Sequence, residues 1–177
     1  MRSSSISPEY VMLGFLAEGP SHGYDLHLRI EKEFEGTWNM SQSQCYSILK
    51  RLEKKGLICS ELHMKEGAHP KRLLKLTPLG KQRFLSWLNE PAPPSVRAIR
   101  IELITRLHFA QTTGLATTHQ LIEEQKRTII EAIQRLRIAL EATPASKGLQ
   151  RMSLQLRCRQ LQSCLDWLDE CDLSLTS

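Results

Sequence analysis

The stretch from Ser41 to Gly56, SQSQCYSILKRLEKKG, predicts a single helix with a defined start and end. Ser41 suits the N-cap position, and Gln44 three residues later completes a capping-box pattern. Gly56 supplies a C-terminal stop, because glycine readily adopts the left-handed conformation that ends many helices. A helix of about four turns is therefore expected here.

The two faces of this helix differ in chemistry. At about 100° per residue, one apolar arc must face the core, and it holds Cys45, Ile48, Leu49 and Leu52. Hydroxyls, an aromatic ring and cations share the remaining surface, which suits the major groove of duplex DNA. The alternative is that Tyr46 packs on a neighbouring helix and the lysines only solubilise. The predicted DNA contacts are Ser41, Gln42 and Ser43 to phosphate, Tyr46, Ser47 and Lys50 to bases or backbone, and Arg51 and Lys54 to phosphate.

A strand-turn-strand pattern follows the helix. The runs 57–64 and 72–77 flank the turn-rich segment 66–70, which predicts a hairpin. His69, Lys71 and Arg72 lie at its tip and exit, where a wing would contact DNA, unless the segment is only a surface turn. Residues 41–75 hold eight Lys or Arg against three Glu, as much net positive charge as the whole chain. This concentration indicates a polyanionic partner, most often nucleic acid.

Further helices flank these elements. Ser7-Pro8 suits the start of a first helix that stops at Gly19-Pro20, and Ser21 suits the N-cap of a second helix that ends near Gly36. Thr77-Pro78 suits the start of a helix after the hairpin. The order of elements predicts a mainly α chain with an N-terminal winged helix-turn-helix domain over residues 1–90.

These motifs resemble the PadR family of bacterial transcriptional regulators. The resemblance rests on LGFL at 13–16, GPSHGYDL at 19–26, CY at 45–46, LKRLE at 49–53, GLI at 56–58, PKR at 70–72 and LTPLG at 76–80. Ser47 stands where the family often has proline, and Leu73-Leu74 where it often has aromatic residues. These departures concern the base contacts and the wing, and they leave the implied fold intact.

The second half predicts long helices. Three prolines make residues 91–94 a linker to a helical domain over residues 95–177. Apolar stripes in 96–110, 122–140 and 154–168 predict three helices that cannot enclose all of their apolar faces, which favours pairing with a second copy. The alternative is a three-helix bundle within one chain. The predicted dimerisation residues are Leu103, Leu107, Leu154, Cys158, Leu161, Leu165 and Leu168.

Residues 96–97 and 101–110 are also similar to the start of the dimerisation domain in the longer PadR subfamily. This resemblance implies a homodimer that usually represses transcription and sometimes activates it, and that in several branches is released by a small ligand such as a phenolic acid. Two helices held about one turn of DNA apart predict an inverted-repeat operator in double-stranded DNA. Any effector is expected between the domains or at the dimer interface, near Trp87, Phe109 and Trp167.

The five cysteines, an odd number without CxxC spacing, indicate neither a disulfide framework nor a paired zinc site. Cys158, Cys164 and Cys171 lie on or beside the last apolar stripe. Core thiols are the plainer interpretation, and a redox switch is the alternative. The six histidines lack HxH or HExxH spacing, so neither a metal nor a cofactor is predicted.

The sequence offers no motif for catalysis, since GxGxxG, Walker A, GxSxG and HExxH are all missing. It also shows no signal-peptide pattern and no apolar run approaching about 20 residues. A cytoplasmic regulator without a membrane partner is therefore expected. The competing hypothesis is a protein-binding helical adaptor with a degenerate winged helix.

Overall fold

The computed structural model describes residues 7–63 and 71–176. The chain divides into two compact units, Met1–Asn89 and Glu90–Ser177. Helices predominate in both, as predicted, and the described strands all lie in the first unit. No helix in the described ranges is both long and apolar enough to cross a membrane.

Helix α1, Glu9–Glu18, forms the centre of the first unit. Six consecutive residues, 11–16, are buried, so the helix is covered on every side. The Ser7-Pro8 pattern predicts Pro8 as the first helical residue. The helix instead begins at Glu9, and Pro8, which has helical dihedral angles, is its N-cap residue. Gly19 ends it, as expected.

The second helix, α2, covers Gly23–Glu33, so the prediction that Ser21 caps it is wrong. Ser21 and His22 instead form a two-residue strand, β1, which pairs with Leu74 and Leu73 of the wing. The backbone of Ser21 is therefore extended and committed to a sheet. On α2, Leu26 and Ile30 are buried and belong to its inward face.

The wing consists of β2, Ile58–His63, and β3, Lys71–Leu76, which pair antiparallel with Ile58 opposite Leu76. Strand β1 adds to the free side of β3, so the sheet has the order β1-β3-β2. The predicted two-stranded hairpin thus becomes part of a three-stranded sheet. The connecting turn, including His69, lies outside the described residues.

Helix α3, Gln42–Lys54, and helix α4, Pro78–Leu88, flank the hairpin in sequence, as predicted. Thr77 caps α4: its Oγ1 accepts from the Gly80 N–H at 3.0 Å and donates to the carbonyl oxygen of Leu57 at 3.0 Å. The backbones approach so closely that a Cβ on Gly80 would lie 2.0 Å from that oxygen. Only glycine fits this junction between α4 and the start of the wing.

The second unit consists of three helical rods, as the three apolar stripes predict. The first rod runs through α5, Val96–Ala98, a π-helical segment, Ile99–Leu103, and α6, Ile104–Thr113. The other rods are α7, Leu115–Glu141, and α8, Gly148–Thr176, which pack along each other. The break between them covers residues 142–147, between the second and third predicted stripes.

The proline-rich segment is packed onto the second unit rather than free. The Ala92 N–H donates to Gln125 Oε1 at 2.6 Å, and Gln125 Nε2 donates to the Ala92 carbonyl at 3.0 Å. Both residues are fully buried. Arg106 Nη1 also donates to the Glu90 carbonyl at 2.5 Å. Residues 91–94, predicted as a linker, therefore form the first piece of the second unit.

Several predicted dimerisation side chains are already used inside the second unit. Leu103, Leu161 and Leu168 are buried within the single chain, and Leu107, Leu154, Cys158 and Leu165 are partly covered. The large apolar side chains that α7 and α8 expose lie elsewhere, at Ile130, Ile138, Leu149, Met152 and Leu156. The stripe that the sequence reveals is thus largely the unit's own core, which is the arrangement of the three-helix alternative.

Two of the three aromatic residues expected near an effector are also core residues. Trp87 stacks on Tyr10 within the first unit, with ring centroids 4.6 Å apart. Phe109 is buried within the second unit, whereas Trp167 is partly exposed. Trp87 and Phe109 each stabilise their own unit.

Candidate nucleic-acid interface

The start of α3 is fixed by the predicted capping box. Ser41 Oγ accepts from the Gln44 N–H at 3.3 Å, and Gln44 Oε1 accepts from the Ser41 N–H at 2.9 Å. Ser41 Oγ also lies 3.1 Å from Ser43 Oγ. Ser41 therefore serves as the cap, while Gln42 and Ser43 stand exposed in the first turn.

The inward and outward faces of α3 are those that the sequence predicts. Cys45, Ile48, Leu49 and Leu52 are buried in the core of the first unit. The outward face places hydroxyls toward the start of the helix and cations toward its end. Its exposed residues are Gln42, Ser43, Tyr46, Ser47, Lys50, Arg51 and Lys54.

Tyr46 rests on the start of α2 and still exposes about half of its surface. A Cβ on Gly23 would lie 2.9 Å from Tyr46 Cε1 and 3.2 Å from Leu49 Cδ1, so a glycine is needed beneath the ring. The Tyr46 side chain is 47% exposed. The ring therefore packs by one edge, as the packing alternative expects, and its accessible surface leaves the DNA contact as a prediction.

Helix α3 stands as a ridge between two clefts of the first unit. The larger, about 730 Å³, is lined by the start of α2, by α3 and by β3, and includes Tyr24, Tyr46, Lys50 and Arg72. The smaller, about 450 Å³, lies along the Ser43, Ser47 and Arg51 side of the helix. A protruding helix with a cleft on each side has the shape that a groove and its two backbone strands would fit.

Ion pairs within the first unit reduce the positive charge of this surface. Lys55 Nζ lies 3.0 Å from a Glu9 oxygen, and Arg51 Nε lies 3.6 Å from the same carboxylate. On the sheet, Lys75 Nζ lies 2.6 Å from Glu61 Oε2. Because Glu9 lies outside residues 41–75, the charge count of that segment, which already includes Glu61, overstates the positive charge that a polyanion would meet.

Arg72 is the wing cation whose surroundings are best defined. Its Nη2 donates to both oxygens of Glu53 at 2.8 and 2.9 Å and to Ser60 Oγ at 2.7 Å. The hydrogen bond from Ser60 and the Arg72 guanidinium lower the pKa of the Glu53 carboxyl below its ordinary value. Lys71 begins β3, and His69 lies outside the described residues. Arg72 is thus tied to α3 by its side chain.

Comparison with known proteins gives two family matches, one to each unit. Residues 12–86 match the transcriptional regulator PadR-like family, and residues 99–175 match the virulence activator alpha C-terminal family. The N-terminal unit therefore carries a PadR-like domain. The resemblance inferred from the sequence is confirmed.

Individual PadR-like relatives are distant. The negative transcriptional regulator PadR of Bacillus subtilis is 28% identical over 119 residues, which cover 66% of this chain and 64% of that protein. A probable transcriptional regulator of Mycobacterium tuberculosis is 21% identical over 91% of this chain and 93% of its own length. The crystal structure of Bacillus subtilis PadR with operator DNA matches 93% of this chain and 97% of that one, at 22% identity and a TM-score of 0.45.

Two residues of the PadR-like unit were not singled out as contacts from the sequence. Tyr24 is 51% exposed and lines the larger cleft beside Tyr46, and His22 lines it from β1. For Tyr24, the sequence signal was a tyrosine in the first turn of a predicted helix. No sequence signal marks His22, because its place depends on the pairing of β1 with β3.

The cysteines of this PadR-like chain have the chemistry of packed thiols. Burial raises the pKa of Cys45, Cys164 and Cys171 above its ordinary value, which keeps these groups protonated and weakly nucleophilic at neutral pH. Cys59 is exposed on β2, and Cys158 is partly buried on α8. This environment favours the core-thiol interpretation over a redox switch.

Proposed function

We propose that this chain is a transcriptional regulator that binds duplex DNA in a sequence-specific manner, with α3 as the recognition helix. The observation that carries the proposal is the exposed polar ridge of α3 between two clefts. A helix enters a major groove most deeply when its outward side chains are short and polar, which is the case for Ser43 and Ser47. Repression from an operator in the cytoplasm is the mode of action that we propose.

Within this proposal the contacts divide by position. Ser43, Ser47 and Tyr46 lie where base edges would be, and Lys50 and Lys54 lie where phosphates would flank them. The larger cleft would seat one backbone strand, with the hydroxyl of Tyr24 as an added donor. We assign Ser41 to capping, because its hydroxyl is already engaged with Gln44 and Ser43.

We also propose that two copies pair through α8. Leu149, Met152 and Leu156 follow helical spacing and form one exposed apolar face, with Leu149 85% exposed. The charges of α8 are segregated: its first half carries basic side chains and its second half acidic ones. An antiparallel pair about a twofold axis would place the first half of each α8, with its basic side chains and its exposed apolar face, against the acidic second half of the other copy. Such a dimer would bind an inverted repeat.

A salt-dependent binding experiment tests the proposed function. Duplexes selected from a random pool by the wild-type protein are titrated at several salt concentrations by fluorescence anisotropy. Replacing Lys50 and Lys54 by alanine should reduce the slope of log affinity against log salt by about two, since each phosphate contact contributes roughly 0.9. Lys32→Ala with Lys81→Ala removes two exposed cations away from both clefts and should leave the slope unchanged.

The outcome separates the regulator from the adaptor. Failure of the wild-type protein to bind any duplex at low salt would contradict the proposed function and favour a protein-binding module. Equal slopes for the two double variants would show that Lys50 and Lys54 of α3 do not contact DNA phosphates. The same titration with and without a phenolic acid tests the release by a small ligand that the resemblance implies.

A further inference from the structure

We infer that Glu53 is a positioning residue for DNA binding, which holds Arg72 and thereby fixes the wing against α3. This inference rests on the proposed function. Glu53, Ser60 and Arg72 form a closed triangle: both Glu53 oxygens accept from Arg72 Nη2, Glu53 Oε1 accepts from Ser60 Oγ at 2.7 Å, and the guanidinium donates to Ser60 at 2.7 Å. The three residues belong to α3, β2 and β3, so the triangle joins three elements.

The backbone of Arg72 is held as well. His22 Nδ1 lies 2.9 Å from the Arg72 carbonyl oxygen, to which it donates. Both ends of this residue are therefore fixed, the side chain by α3 and β2 and the backbone by β1. All of these side-chain contacts are made by Nη2 alone, and charge-assisted hydrogen bonds to both oxygens of one carboxylate restrict the position of that nitrogen.

The charge of Glu53 is hard to explain in any other way. Its carboxylate lines the larger cleft together with Lys50, on the surface that would face phosphates. A negative charge there opposes binding of a polyanion. A positioning role accounts for it, because the wing can meet the DNA next to α3 only if its angle is set.

This inference gives Arg72 a different role from the phosphate contact that the sequence predicts. If Arg72 only contacts phosphate and Glu53 competes for it, removal of the Glu53 charge should strengthen binding. If Glu53 positions the wing, the same change should weaken binding to a specific site. The two roles thus predict effects of opposite sign.

The decisive experiment compares Glu53→Gln with Glu61→Gln. Each variant removes one negative charge, and each breaks an ion pair to β3, but the Glu61 pair with Lys75 lies within the sheet and does not involve α3. Affinities are measured for a duplex selected by the wild-type protein and for a random-sequence duplex of equal length. Far-UV circular dichroism and thermal melting verify that each variant folds.

We expect Glu53→Gln to lower the ratio of selected to random affinity by up to about fivefold, the factor that corresponds to the loss of a partly exposed ion pair. Glu61→Gln should leave that ratio unchanged. The exchange Glu53→Arg with Arg72→Glu restores the pair at the same net charge and should recover most of the ratio.

The outcomes separate this inference from the proposed function. If the wild-type protein binds duplex DNA and Glu53→Gln binds the selected duplex as well as Glu61→Gln does, or more tightly, the positioning role is wrong and the proposed function stands. If the wild-type protein binds no duplex, the proposed function fails first. Loss of the ratio without rescue by the exchanged pair would also overturn the positioning role.

Discussion

Glu53 belongs to α3, yet its carboxylate serves the wing. The residue stands in the last turn of the helix, and Arg72 Nη2 approaches both of its oxygens within hydrogen-bonding distance. The side chain of Arg72 remains 60% exposed, so the pair is partly solvated and its direct contribution to stability is small, under about 1 kcal/mol. Its effect on geometry is larger than its effect on stability.

The Glu53 pair predicts a defined pH dependence of stability. Ser60 and then Arg72 lower the pKa of Glu53 in the folded state. The pair therefore contributes stability above the ordinary glutamate pKa of about 4.3 and loses it as the pH falls through the lower folded value. In urea unfolding, we expect wild type to exceed Glu53→Gln by a constant margin above about pH 5 and the two to converge below it. A margin that widens in acid would contradict this account.

The residues of α3 show what sequence can and cannot predict at this scale. The burial of Cys45 and Leu52 follows from helical periodicity alone, because their environment depends on neighbours three and four positions away. The engagement of Arg72 does not, since its partner Glu53 lies nineteen positions earlier in the chain. A distant ion pair depends on how two elements pack, and a single sequence does not encode that locally.

Among the elements, the junction of α4 with the wing is the most tightly constrained. The Gly80 Cα faces the Leu57 carbonyl at the point where the chain leaves α3 for β2. Thr77 bonds the same carbonyl from the start of α4. One backbone oxygen thus anchors the helix that follows the wing to the strand that opens it.

Substitution of Gly80 by alanine should destabilise the first unit by at least about 2 kcal/mol, since the added methyl meets backbone rather than a yielding side chain. The control is Gly19→Ala, where nothing lies within 4 Å of the added Cβ and the backbone is extended. It should change stability by less than about 0.5 kcal/mol. Urea unfolding measures both, and equal midpoints would show that the α4 junction yields more readily than its geometry implies.

The observed starts of the helices agree with the predicted ones where an N-cap residue marks them. Ser41 and Thr77 both act as the predicted N-caps. Ser21 has the same chemistry but lies in β1, because its partner strand β3 supplies hydrogen bonds that a cap would not. A strand of two residues has no alternation to detect, so its pairing could only be seen in the fold.

For the whole molecule, the proposed α8 pairing makes a testable prediction about assembly. Reversing Arg157 and Arg159 to glutamate should make both halves of α8 net acidic, and reversing Asp166 and Glu170 to lysine should remove the net acidic charge of its second half. Each variant alone should dimerise at least about tenfold more weakly, because exposed ion pairs of up to about 1 kcal/mol become repulsions. An equimolar mixture of the two should recover the dimer.

Sedimentation equilibrium measures these dissociation constants. Dimers of either variant as stable as those of wild type would place the pairing surface away from the charged flanks of α8.

Leu103, Leu161 and Leu168 are predicted as dimer contacts from an apolar stripe, and they are buried within the single chain. A stripe in the sequence does not indicate which helix covers it. Intramolecular and intermolecular burial leave the same pattern in a sequence.

The buried amide of Gln125 determines where a chain junction between the two units can be placed. It pairs with both polar groups of the Ala92 peptide backbone, between two prolines that supply no N–H of their own. A chimera that exchanges winged-helix units between relatives should therefore join them at Asn89 and Glu90. A junction placed after the prolines would replace Ala92, and its fully buried position opposite Gln125 requires a small residue that keeps its backbone N–H.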